Sequence, residues 1–177
     1  MRIGSQLYTK DMSKRSVVTS REQPVKRVTT ATGQATVHAQ TFTIQTSQRI
    51  ELIDLTERVM VLTREAGVRE GMVSVSSMHT TVALFVNESQ VALLADIQQF
   101  LEHIVRQDAD WLHNNPAHSD CDRLNADSHL RAVLLGHSVT LPVSGGEVVL
   151  GRWQRLLMAE LDGPRERTLR LTVIGVA

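Results

Sequence analysis

An α+β domain is the fold class that this sequence predicts, and three observations lead to it. Strand-like and helix-like runs follow one another in the order β-α-β-β-α-α-β-β-β-β, which is not the strict alternation of a parallel βαβ protein. Four short strands close the chain, separated by strong turn signals. The 177 residues are 42% hydrophobic and 21% charged, ordinary globular usage that suits one compact domain with a tail.

The tail is placed at residues 1–34, read as a flexible basic leader. Its first thirty residues carry Arg2, Lys10, Lys14, Arg15, Arg21, Lys26 and Arg27 against Asp11 and Glu22. Ser and Thr are frequent and hydrophobic periodicity is absent, so nothing there can pack. The same charge could serve an acidic partner or a targeting step, but no apolar stretch follows it as a secretory signal requires.

The domain is expected over 35–177. Residues 36–46 are rich in Val, Thr, Phe and Ile and suit a strand. Ser47 is placed as a helix cap, because Leu52, Leu55, Val59, Leu62 and Ala66 recur at three- and four-residue steps and Gly67 supplies the stop. Residues 72–78 and 82–86 read as strands. Leu94, Ile97, Leu101 and Ile104 mark a second helix over 90–106. After an irregular polar stretch, a short third helix starts near Asp127 and ends before Gly136. Strands follow at 138–143, 147–150, 153–161 and 168–176, with Gly145-Gly146 as a hairpin turn and Asp162-Gly163-Pro164 as another turn.

Composition excludes several functions. Nineteen basic and nineteen acidic side chains cancel, which disfavours general nucleic-acid binding. Aromatics are 3%, too few for base-stacking platforms. No run approaches the roughly 20 apolar residues that span a bilayer. Cys121 is the single cysteine, so no internal disulfide forms and a reducing cytoplasm is the natural compartment.

The candidate chemistry lies at element ends. There is no nucleophile elbow, phosphate-binding P-loop, dinucleotide fingerprint or HExxH helix. Instead His79 follows a strand, Asn87-Glu88 sits where a strand meets a helix, and Asp96 lies in that helix. His113, His118, Cys121, Asp122, Asn125, Asp127 and His129 crowd one short span. Three imidazoles from three elements suit an open metal site, and His79, His113 and His129 form the best set, with Cys121 or Asp122 in reserve. Each alone is an ordinary hydrogen-bonded histidine. His38, His103 and His137, without polar neighbours in sequence, read as structural or solvent-facing. The third helix offers an alternative. Asn125, Asp127 or Ser128 can cap its start, Arg131 lies one turn in, and Arg152, Arg155 and Arg165 could converge there on a phosphate. Glu160 interrupts an apolar strand and is either outward-facing or buried and paired. Trp153-Gln154 is a pocket lid or plain packing.

In order along the chain stand Met78-His79-Thr80-Thr81, Val86-Asn87-Glu88, Asp96, Trp111-Leu112-His113, Asp127-Ser128-His129-Leu130, Leu141-Pro142-Val143, Leu150-Gly151-Arg152-Trp153-Gln154 and Glu160-Leu161-Asp162-Gly163-Pro164-Arg165. This series resembles the YjbQ-like family, also described as secondary thiamine-phosphate synthases, from about Ala35 to Ala177. The resemblance implies a β-sandwich-like α+β domain with two to three helices, assembled as a homotrimer, its histidine site in or near a subunit cleft. It implies a transferase that joins a hydroxymethylpyrimidine diphosphate to a thiazole phosphate and releases pyrophosphate, in thiamine biosynthesis or as a side activity. The alternative is a metal- or phosphorylated-ligand-binding trimer. Carried over by position, His79, Glu88, Asp96 and Glu160 are the catalytic candidates. Thr80, Asn87, Ser128, Arg131, Trp153, Gln154 and Arg165 would bind substrate or phosphate. His79, His113 and His129 would hold a divalent metal, Zn or Mg. Ser89-Gln90-Val91-Ala92 replaces the family's usual Asp-Pro, and Trp111 its usual Tyr. Arg152 and Arg155 stand where smaller residues are frequent, and the loop from Asn114 to Leu124 is individual.

Overall fold

The computed structural model describes Val17 and residues 29–177, so most of the leader expected over 1–34 lies outside the described residues. Eight strands and three α-helices follow in order: β1 (Ala35–Gln45), β2 (Glu51–Asp54), α1 (Thr56–Glu65), β3 (Glu70–Ser77), β4 (Val82–Asn87), α2 (Val91–Ile104), α3 (Ala126–Leu135), β5 (Ser138–Ser144), β6 (Glu147–Val148), β7 (Arg155–Glu160) and β8 (Glu166–Val176). A single 3₁₀ turn, Leu112–Asn114, interrupts the loop between α2 and α3.

The strands form two antiparallel sheets. One has five strands in the order β1-β8-β3-β5-β6, the other three in the order β2-β7-β4. Their facing sides share one core. Phe42, Val73, Val75, Leu169, Leu171 and Val173 from the larger sheet meet Val82, Leu84, Leu156 and Met158 from the smaller, with Val59 and Met60 of α1 beside them. Alternation in β8 and β3 puts these side chains on one face. The opposite face of the small sheet is covered by helices, through Ala83, Ala159 and Leu161 against Leu101 of α2 and Ala132 of α3. All six residues of β7 are therefore buried. Both of its apolar faces are covered within one chain.

The first helix begins later than its spacing predicts. Leu52 and Ile53 pair with Ala159 and Met158 as an edge strand, because an apolar pair beside a buried strand gains more from sheet burial than from a helical first turn. The helix starts where Asp54 Oδ1 accepts the Thr56 N–H at 2.9 Å. Ser47 is not its cap; its N–H and hydroxyl both donate to Glu51 Oε2. The expected strands at 147–150 and 153–161 shorten to β6 and β7, since residues 151–154 form a turn closed by the Gly151 N–H on Gln154 Oε1 at 2.7 Å. Gly145 and Gly146 do make the two-residue hairpin, at φ of 62° and 81°, values that suit glycine.

Candidate functional site

The site forms where three connections, β3–β4, α2–α3 and β7–β8, meet the start of α3 at one end of the small sheet. His79 continues the inward-facing register of Val73, Val75 and Ser77, one step beyond β3. Its backbone N–H donates to Ser77 Oγ at 3.1 Å, and its ring Nε2 accepts the Thr168 N–H at 2.8 Å. The Met78 N–H donates to Thr168 O at 3.2 Å, so the ring takes the next place in a ladder that the backbone has left.

His113 stands on the 3₁₀ turn, and His129 in the first turns of α3. Their rings meet edge to face, with centroids 5.1 Å apart and planes at 83°. Two hydrogen bonds fix this approach. Asn114 Oδ1 accepts the Ala126 N–H at 3.0 Å, tying the turn to the helix start. Asn125 Nδ2 donates to Asp162 Oδ2 at 2.9 Å, tying the helix start to the β7–β8 connection. Gly163 allows that connection to fold tightly: a Cβ there would lie 2.4 Å from Gln48 O.

A cleft of about 370 Å³ results, its wall including His79, His113, His129, Arg123, Arg165 and Arg167. Asp162 Oδ2 collects N–H groups from Arg123, Asn125 and Arg165 at 3.2, 2.9 and 3.0 Å. Arg167 is paired with Glu160, which sits behind the wall. Three arginines face two carboxylates, leaving a positive surface. Burial pushes the His79 imidazole below its ordinary value, and Arg167 adds to this while Glu160 opposes it. Burial also lowers His129, with His113 adding and Asp162 and Asp127 opposing. A larger, mainly apolar cavity of about 750 Å³ adjoins the cleft and shares His79, Thr80 and His129 with it; Met78, Val82 and Val133 contribute to its wall. On the other side Trp111, Leu112 and Leu130 form a hollow that also includes His113 and His129.

The expected residues divide between two ends of the sheet. His79, Thr80, His113, His129 and Arg165 line the cleft. Asn87 and Glu88 lie at the far end of β4, and Asn87 pairs with Arg155. Trp153 and Gln154 precede β7 at that same end, and both are exposed. Five residue steps along β4 separate Val82 from Asn87, roughly 17 Å at the rise of a β-strand. Asp96 is exposed on α2. Arg152 packs over the Trp153 ring, and buried Arg155 binds Asp54 and Glu57, so neither converges with Arg165.

Two candidates at the helix start are committed elsewhere. The Ser128 hydroxyl donates to Leu161 O. Arg131 binds Val105 O and Asp127 inside the molecule, with a side chain 2% exposed. No side chain caps α3 at Asn125. Glu160 is wholly buried rather than outward-facing. Arg123, Asp162 and Arg167 also line the cleft, although neither their spacing nor a motif marks them for it.

Among the described residues, no three His, Cys, Asp or Glu side chains form a group that could hold a metal ion. At His79 the ring Nε2 is occupied by the Thr168 N–H.

Comparison with known proteins follows the same division of the chain. The sequence profile of a family described as UPF0047 protein YjbQ-like matches residues 40–176. A UPF0047 protein of Methanothermobacter thermautotrophicus is 47% identical over 139 residues, 78% of this chain and 93% of that protein. UPF0047 protein YugU of Bacillus subtilis is 29% identical over 135 residues, 76% of this chain and 98% of its own. Among solved structures, a YbjQ-like protein of unknown function from Sulfolobus solfataricus has a TM-score of 0.75 at 30% identity, covering 80% of this chain and 99% of that one. A hypothetical protein from Aeropyrum pernix has a TM-score of 0.72 at 36% identity, covering 78% and 98%. No described helix is long and apolar enough to cross a membrane.

Proposed function

Since the chain belongs to the UPF0047 family of YjbQ-like proteins, we propose that its cleft binds a phosphorylated small molecule and carries a transfer of the thiamine-phosphate synthase type. The observation behind this reading is the wall of three histidines and three arginines around about 370 Å³. A phosphate or diphosphate needs several donors converging on one volume, and guanidinium groups supply them in a fixed fork. The adjoining apolar cavity suits the ring of such a substrate.

In the proposed reaction, a hydroxymethylpyrimidine diphosphate meets a thiazole phosphate. The thiazole nitrogen forms a bond to the pyrimidine methylene carbon while that carbon's bond to the diphosphate oxygen breaks. The electron pair leaves with pyrophosphate. Arg123 and Arg165 face the departing charge, and stabilising it as it develops is the main work required of the protein. His113 and His129 stand beside it as hydrogen-bonding groups. Glu160 takes no part in contact with substrate on this reading; its role is to hold Arg167.

The protein is further proposed to act as a homotrimer. Met78, Leu112, Leu130 and Val133 border the site and are exposed, and a second copy would cover them.

The test supplies both precursors to the purified protein and measures thiamine phosphate and pyrophosphate. Equal amounts of the two products, lost in His129→Ala and Arg165→Met, support the transferase. Saturable binding of the diphosphate without product supports the alternative, a protein that holds a phosphorylated ligand. No binding and no product overturn both.

A further inference from the structure

We infer that His79 serves the cleft as a fixed hydrogen-bond donor, presenting its Nδ1–H to a substrate oxyanion, and that it is not a metal ligand. The inference rests on the phosphorylated-ligand reading and assigns one side chain a defined chemical role within it.

The argument starts from the Thr168 N–H. A backbone N–H can only donate, and it points at His79 Nε2 from 2.8 Å. That nitrogen must present a lone pair. A neutral imidazole carries one proton, so the proton is on Nδ1. Burial and the Arg167 charge keep the ring neutral. Nδ1 has no hydrogen-bond partner among the described residues and is not enclosed, since His38 Nε2 is the buried nitrogen there that lacks one. Its proton is therefore available to a ligand in the cleft that His79 lines.

The backbone holds the ring in this state. Ser77 Oγ accepts the His79 N–H at 3.1 Å and donates to His79 O at 3.2 Å. The Met78 N–H on Thr168 O keeps the turn against β8. Rotating the ring by half a turn about its bond to Cβ would break the contact with Thr168 and leave that N–H unpaired, which is costly in a half-buried site.

The same geometry works against metal. A metal on Nδ1 needs the ring proton on Nε2, where it would face the Thr168 N–H donor to donor. A phosphate oxygen has no such conflict, because it accepts what Nδ1 offers. Arg165 and Arg123 lie on the same wall and would share that oxyanion.

Nitrogen NMR on the full chain, with histidine labelled, decides this. Long-range nitrogen–proton correlations are expected to show His79 protonated at Nδ1, unchanged when zinc is added. A proton on Nε2, or loss of the Nδ1 proton with zinc, overturns the inference. Inorganic pyrophosphate is then titrated in the presence of a chelator. Binding should persist and shift the Nδ1 proton. His79→Ala should weaken it about tenfold or more, the scale of a lost hydrogen bond to a charged group. His79→Asn, whose amide can place a donor near Nδ1, should recover most of that loss. Equal losses in the two variants, with melting temperatures unchanged, count against a donor role. If the unaltered protein binds no pyrophosphate, the phosphorylated-ligand reading fails and His79 has no anion to meet; the tautomer is judged separately from the spectrum.

Discussion

Arg167 closes on both carboxylate oxygens of Glu160 through two of its N–H groups, and the two side chains are 3% and 0% exposed. Glu160 also accepts the Thr46 hydroxyl at 3.1 Å and the Asp162 N–H at 2.8 Å. Arg167 further reaches Thr81 Oγ1 at 3.2 Å. The pair thus joins β7, β8, the β3–β4 turn and the β7–β8 connection, and the cleft is built on top of it.

Removing one partner should cost far more than removing both. Glu160→Gln leaves a buried guanidinium without its counter-charge, an arrangement worth about 3–5 kcal/mol. Each kcal/mol lowers the melting temperature by about 2–4 °C in a chain of this size. Thermal denaturation followed by circular dichroism should show a drop of about 10 °C. Glu160→Leu combined with Arg167→Met should recover much of it, because an apolar replacement of a buried pair is often near neutral. A Glu160→Gln protein that melts with the unaltered one would show that the pair is not structural.

Arg165 should behave in the opposite way. Its side chain is 31% exposed, and Asp162 keeps Arg123 and Asn125 when it is gone. Arg165→Met should therefore melt within a few degrees of the unaltered protein while binding pyrophosphate about tenfold more weakly. Isothermal titration reads this directly, and an unchanged affinity would remove Arg165 from the site.

These two arginines show what was legible in the sequence. Alternation along β8 places Arg167 with Leu169, Leu171 and Val173 on the inward face, and alternation along β7 places Glu160 with Leu156 and Met158. Two opposite charges on two inward faces are a readable signal for a buried pair. It needed the knowledge that β7 and β8 lie in different sheets, which periodicity does not carry. His79, His113 and His129 were legible as a group because each stands at an element end. Motif order groups Asn87, Glu88, Trp153 and Gln154 with them, but the pairing of Asn87 with Arg155 holds these at the other end of the sheet. The edge strand β2 is hidden in the sequence because Leu52, Leu55 and Val59 also satisfy helical spacing, and only pairing with β7 decides between the two.

Acid should weaken the fold through the histidines. In the unfolded chain His79 and His129 return to about 6.5, above their folded values, which burial lowers first and neighbouring positive charge second. Above pH 6.5 both states are neutral at these rings. Below it the unfolded state takes up protons that the folded state does not, so stability falls as pH drops from 6.5 toward the folded values. Urea midpoints measured between about pH 7.5 and 5.5 should decline on acidification. The double variant His79→Asn, His129→Asn should decline less steeply. The same slope in both proteins would assign the effect to other groups.

Truncation tests the leader. Among its described residues, Val17 donates its N–H to Ser89 O at 2.9 Å, and residues 29–34 are exposed. Among the described residues, a chain beginning at Gln34 loses that hydrogen bond, worth about 1 kcal/mol. Its melting temperature should lie within about 4 °C of the full chain. A much larger drop would mean that the leader packs on the domain.

The apolar border of the site bears on assembly. Leu130, Val133 and Leu134 stand three and four residues apart on α3, on one face of the helix, and Val133 is 79% exposed. Met78 and Leu112 extend this surface on either side. A monomer gains nothing by exposing such a face, whereas closed symmetric assembly would bury it. Light scattering should therefore give the mass of three chains for the unaltered protein. Leu130→Glu with Val133→Glu places two carboxylates where the partner would pack, and burying them unpaired is unfavourable by several kcal/mol. That variant should scatter as one chain, with an unchanged far-ultraviolet spectrum because both positions face outward in each monomer. If the double variant keeps the mass of the unaltered protein, this face is not the interface; if the unaltered protein is itself a monomer, the proposed trimer falls.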